Sequence, residues 1–94
     1  TAIMALSDTI AIGVMRAAAD LGKHIPEELS VTGFDGIELA GYCVPRLTTI
    51  KQNTEIMASR SVDIMLKHIN YAADGEHEIV PYSLIEGESV KSIG

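Results

Sequence analysis

Apolar positions in this chain fall into short unbroken runs separated by stretches where they recur every three or four residues, a pattern that predicts alternating strands and helices. AIMAL, Ala2 to Leu6, predicts a central strand covered on both faces. Ser7 or Asp8 can cap the next segment, since either side-chain oxygen can accept a free backbone N–H of the first turn, and Asp8 also complements the helix dipole. A helix follows from about Thr9 to Leu21, stopped by Gly22. Ile10, Val14, Ala17, Ala18 and Leu21 form one stripe, the expected face against a sheet, while Ile12, Met15 and Ala19 form a second. A helix with two apolar stripes is either sunk deeper in its own domain or covered by a partner.

Pro26 pushes Ile25 out of helical geometry, and SVTGF, Ser30 to Phe34, reads as the second strand. Gly36 and Gly41 bracket a one-turn helix or loop, IELA, and the β-branched LTTI, Leu47 to Ile50, reads as the third strand. This is βαβ syntax: an α/β fold with a parallel sheet, flanking helices and right-handed crossovers. Asn53 is the expected cap of a long helix from Thr54 to Asn70, with Ala58, Val62, Met65, Leu66 and Ile69 as its apolar stripe. Asp74-Gly75 is a turn signal, and IVPYSLIE is a final strand that Pro81 confines to an edge or to a late start. The tail GESVKSIG is expected to be frayed or an add-on.

At 94 residues the chain is expected to make one compact unit at most, with a modest core. Seven basic against thirteen acidic residues give a net charge of −6 without a Lys/Arg cluster, so the counterion release that drives nucleic-acid binding has no source in this chain alone. Cys43 is the single cysteine, which excludes an internal disulfide and fits a reducing compartment. No apolar run reaches membrane-spanning length. The opening TAIMALSD starts as if already inside a strand, the expectation for a fragment.

In a parallel sheet, ligands bind beyond the carboxyl ends of the strands. Ser7-Asp8, Asp35 and Lys51-Gln52 follow the three predicted strands and converge on one such rim. Asp35 can present two acceptor oxygens to a ligand there, or it can close an Asx turn over IELA through its own backbone. Gly36 leaves room for a ligand or a backbone to approach. His24, His68 and His77 are far apart and read as solvated, no pair has metal-ligand spacing, and Gly33 and Gly36 are out of register for a dinucleotide loop. An enzymatic reading would need Asp8 and Asp35 as a metal-binding acid pair beside Thr49 and Lys51, in the manner of a phosphoacceptor receiver domain.

The pieces SDTIAIGVMRA, IPEELSVTGFD and PRLTTIKQ, in that order and spacing, closely resemble the last part of the effector-binding core of the LacI/GalR family of bacterial transcriptional repressors. The segments TEIMASRSVDIMLKHI and IVPYSLIEGESV also resemble the carboxyl-terminal end of that core. The resemblance implies part of a two-lobed periplasmic-binding-protein-like fold with a small effector between the lobes, in a cytoplasmic homodimer that meets DNA through a separate helix-turn-helix head absent from this chain. It implies that residues 1–50 end the C-terminal lobe, 51–53 form a hinge crossover, and 54–94 supply a helix and strand of the other lobe plus a tail. It makes Asp35 the ligand-contacting acid, Ser7 the polar position before the helix and Gln52 a hinge glutamine, with a sugar or sugar derivative as effector, since a carboxylate accepts two hydroxyl hydrogen bonds. Ile12, Met15 and Ala19, with the loop Tyr42, Cys43 and Val44, match the family's dimer surface. Two positions depart from the family pattern: many relatives carry Asn or Asp where Ser7 stands, and a second acid where Gly36 stands. No catalysis, metal or cofactor is implied. A periplasmic sugar-binding protein is the alternative that GFDG would serve equally well.

Overall fold

The computed structural model describes residues 1–71 and 75–94, so Asp74 of the expected turn lies outside the described residues. The elements are β1 (Ala2–Met4), α1 (Asp8–Asp20), β2 (Ser30–Thr32), a 3-10 helix (Glu38–Tyr42), β3 (Thr49–Gln52), α2 (Thr54–Tyr71) and β4 (Tyr82–Ile85). β1 and β2 run parallel, with Ala2 opposite Ser30 and Met4 opposite Thr32. Parallel bridges from Thr32 to Thr48 and from Asp35 to Lys51 extend the pairing towards β3, which in turn pairs with β4. The parallel α/β syntax therefore stands. The chain forms two compact units and not one: Thr1–Lys51 with Ser83–Gly94, and Gln52–Tyr82.

In the first unit, side chains alternate across the sheet as strand geometry requires. Val31, Gly33, Leu47 and Thr49 are buried on the face that packs with α1, around a core of Ala11, Val31, Ala40 and Leu47. Full burial of Val31 and Leu47 is worth roughly 1.5–3 kcal/mol each. Met4, Leu6, Phe34 and Leu84 stay exposed on the other face, where with Ile50 they line a groove of about 630 Å³. The expectation that β1 is covered on both faces is thus corrected: it is an edge strand, exposed throughout, and α1 covers one face of the sheet only.

Helix α1 faces inward through only part of the stripe its apolar pattern predicts: Val14 packs against the core and Ala18 is buried, while Ile10, Ala17 and Leu21 are exposed. Asp8, Ala11 and Ala18 are buried and Met15 packs against the core, a row at spacings of three and four that begins with an acid. Ile10 and Leu21, placed on the sheet side by the pattern, are 52% and 77% exposed. The small side chains of Ala11 and Ala18 allow close approach, and the burial of Asp8 sets the rotation. Gly22, at φ 69°, ends the helix with a paired motif: Lys23 N–H donates to the Ala18 carbonyl (2.8 Å) and Gly22 N–H to that of Ala19 (3.0 Å).

The tail is docked, not frayed. Ser89 is fully buried; its Oγ donates to the Val31 carbonyl (2.6 Å) and accepts from Thr48 N–H (2.9 Å), while its own carbonyl accepts from Val31 N–H (2.9 Å). Lys91 N–H donates to Ser30 Oγ (2.9 Å), and Glu88 N–H to the Arg46 carbonyl (2.7 Å). These bonds hold residues 83–94 to the first unit, whereas the hinge expectation grouped them with α2.

In the second unit, Asn53 Oδ1 caps α2 by accepting from Ile56 N–H (3.1 Å), as expected. No residue of α2 is buried, and Val62, Met65, Leu66 and Ile69 leave its apolar stripe exposed. The Arg60 guanidinium grips both carboxylate oxygens of Glu78 at 2.9–3.0 Å. That bidentate grip holds the Glu78 carboxyl below the usual range.

Replacing Ser89 by alanine removes the hydroxyl that serves both Val31 and Thr48, and is expected to lower stability by about 1–3 kcal/mol. A denaturant midpoint unchanged from wild type would mean that the Ser89 hydroxyl contributes nothing to the first unit.

Candidate functional site

The carboxyl ends of the parallel strands meet around Asp8. Ser7 is the N-cap of α1, its Oγ accepting from Ile10 N–H (3.2 Å), so of the two candidates Ser7 is the cap. Asp8 instead turns inward, fully buried, with both carboxylate oxygens engaged: Oδ1 accepts from Thr49 Oγ1 (2.6 Å) and Oδ2 from Ile37 N–H (2.8 Å). Its backbone N–H donates to the Phe34 carbonyl (2.9 Å). Gly33 lies against this carboxylate, and a Cβ there would run into Asp8 Oδ1 and Leu47. The sequence reading missed this strut; the signal available was a small residue, Gly33, at the end of a strand that also faces an acid.

Asp35 follows at once, half-buried, with φ 125°, a region that L side chains rarely adopt. Its N–H donates to the Ile50 carbonyl (2.9 Å) and it bridges Lys51. The Asx-turn alternative does not hold, because the N–H such a turn would use, that of Ile37, goes to Asp8. Gly36, at φ 73°, packs on β3: a Cβ there would sit 2.6 Å from Lys51 Cα, so the room it provides is taken by backbone. Ser7 and Asp35 flank the Asp8–Phe34 hydrogen bond and so come to one rim. Gln52, half-buried, follows the Lys51 that bridges Asp35 and opens the second unit. As a phosphoacceptor Asp8 fails on geometry, since a carboxylate with no exposed surface and both oxygens bonded cannot attack a phosphoryl donor. Among the described residues no group of His, Cys, Asp and Glu is placed to hold a metal ion.

The residues matched to a dimer surface divide. Met15, Ala19 and Val44 line one hollow of about 390 Å³ together with His24, Ile25 and Pro45. Val44 is 96% exposed, and Ile12 is half-buried outside the hollow. Tyr42 donates its hydroxyl to Glu38 (2.7 Å), which pushes the phenol pKa up. Half-buried Cys43 points its Sγ at the Leu39 carbonyl (3.4 Å), and burial, with the Asp8 charge second, pushes its thiol up.

A parallel α/β unit with polar side chains gathered at the strand ends is an architecture that takes ligands at that rim. The family described as a periplasmic binding protein-like domain matches residues 1–90, and the chain belongs to it. The transcriptional regulator MalR of Clostridium butyricum is 39% identical over 93 residues, which is 99% of this chain and 28% of that protein. A lac repressor dimer solved with operator and the anti-inducer ONPF superposes with a TM-score of 0.87 at 32% identity, over 98% of this chain and 32% of that one. A LacI family regulator from Enterococcus faecalis with bound ribose gives a TM-score of 0.86 at 37% identity, over 96% of this chain and 34% of that one. The chain therefore spans about a third or less of the length of these relatives.

A thiolate fraction suppressed by burial predicts that Cys43 is alkylated more slowly than free cysteine at mildly alkaline pH. Equal rates with iodoacetamide would contradict the shielding of its sulfur.

Proposed function

We propose that this chain is part of the effector-binding core of a bacterial LacI/GalR-type regulator, responding to a sugar or sugar derivative through Ser7, Asp35 and Gln52. The observation that carries the reading is Asp35 itself: a carboxylate in a rarely adopted backbone conformation at the carboxyl end of a parallel strand, where such folds take their ligands. The bound ribose in the Enterococcus faecalis relative supports a polyhydroxyl ligand for the same fold. Residues 1–50 belong to one lobe, 51–53 to a hinge crossover and 54–82 to the other lobe, with 83–94 returning to the first; the compact units support this division. The effector acts by biasing a conformational equilibrium and not by catalysis, which requires only that it bind one state more tightly than the other. DNA contact belongs to a separate head, and the regulator works in the cytoplasm, where its operator lies.

Dimerisation through Ile12, Met15, Ala19, Tyr42, Cys43 and Val44 is the second part of the proposal. It is supported by the hollow that Met15, Ala19 and Val44 share and by the exposure of Val44 and Tyr42. The regulators among the relatives favour this reading over a periplasmic sugar-binding protein.

In the intact regulator, Asp35→Ala is expected to weaken D-ribose binding about 10- to 100-fold by calorimetry, the loss of a charge-assisted hydrogen bond, with the unfolding midpoint near wild type. Unchanged affinity would remove Asp35 from the site. Val44→Asp places a charge on a side chain that contributes almost nothing to the fold, so it is expected to shift the sedimenting species from dimer to monomer. A persisting dimer would place the interface elsewhere.

A further inference from the structure

We propose that Asp8 is the positioning residue for the Asp35 carboxylate. The inference rests on the reading of Asp35 as an effector contact, and it adds a role for a residue that no ligand can reach. Asp8 brackets the strained position from both sides. Its backbone N–H holds the carbonyl of Phe34, the residue before Asp35, and its Oδ2 holds the N–H of Ile37, two residues after it. Between those anchors lie the two consecutive positive φ angles, 125° at Asp35 and 73° at Gly36. A non-glycine residue keeps such a conformation only where its surroundings over-determine it. A further restraint comes from β3, where the Ile50 carbonyl accepts from Asp35 N–H and the Lys51 backbone packs against Gly36. Thr49 joins the two restraints, since its hydroxyl donates to Asp8 Oδ1 from within β3. Asp8 thus locks the helix start, the turn and the third strand into one arrangement, and the direction of the Asp35 side chain is its consequence.

The test reads the turn without any ligand. In Asp8→Asn the amide keeps one oxygen for Thr49 but turns an NH2 towards Ile37 N–H, donor against donor. Amide hydrogen exchange of the full chain is expected to speed up about ten-fold at Asp35 and Ile37, the two bonded amides of the turn, while Val31 and Lys23 keep their wild-type rates. Unchanged exchange at Ile37, or equal acceleration at all four positions, would overturn the proposal. Thr49→Val and Thr49→Ser test the same lock without touching the acid. The first removes the hydroxyl and is expected to loosen the same two amides; the second keeps it and is expected to restore them, and failure of that restoration would count against the lock. In the intact regulator, D-ribose affinity of Asp8→Asn with Asp35→Ala should equal that of Asp35→Ala alone, because Asp8 acts through Asp35. Additive losses would refute action through Asp35. An Asp35→Ala variant with unaltered affinity would instead remove the effector reading, leaving the exchange result to stand by itself.

Discussion

The first unit depends on one buried carboxylate. An ionised acid without exposed surface is expensive unless hydrogen bonds replace its hydration, and Asp8 has one for each oxygen, from a β3 hydroxyl and from the backbone beyond β2. Three consequences follow from that placement. Helix α1 is rotated so that the row of Asp8, Ala11, Met15 and Ala18 faces the sheet. Position 33 admits no side chain, since even a Cβ would strike the carboxylate. The turn after β2 is fastened by a residue from another element instead of by its own Asx bond.

Ser89 does the corresponding work at the opposite end of the same strand. β1 and β2 are three residues long, so their ladders alone specify register weakly. The hydroxyl and carbonyl of Ser89 bind both backbone groups of Val31, the middle residue of β2, and the hydroxyl also takes Thr48 N–H ahead of β3. Asp8 then closes the carboxyl end. Short strands are thus held in parallel alignment by two buried polar side chains at their ends, and the apolar core of Ala11, Val31, Ala40 and Leu47 fills the space between. The arrangement leaves no buried side-chain polar atom unsatisfied among the described residues.

This division explains what could be read from the chain beforehand. Element order, the Asn53 cap and the late start of β4 after Pro81 are local matters, carried by periodicity, capping chemistry and the missing proline N–H, and they are legible in sequence. The convergence of Ser7 and Asp35 on one rim follows from parallel topology and was equally accessible. The buried row of α1 was legible only in part: Val14 and Ala18 stood in the predicted stripe, but an apolar count passes over a row that starts with Asp8. The docking of the tail was hidden for the same reason: its anchor is a serine, a residue type usually found at surfaces and caps. Coverage of β1 on both faces failed because an unbroken apolar run reports what a strand can bury, not which elements are there to bury it.

The backbone at Asp35 gives a reason to assign the side chain a task. If only the turn mattered, glycine at 35 would serve, as it does at φ 69° and 73° at positions 22 and 36. An aspartate at φ 125° costs about 1–3 kcal/mol more than a residue suited to that conformation. The N–H bond to Ile50 would be available to glycine as well, so what the aspartate adds at this position is its carboxylate. What glycine would lack is a pair of acceptor oxygens at the rim of a parallel sheet. On the proposed reading of Asp35 as an effector contact, that strain holds the side chain in a set direction, and a hydroxyl-rich ligand is the class of molecule its acceptors would select.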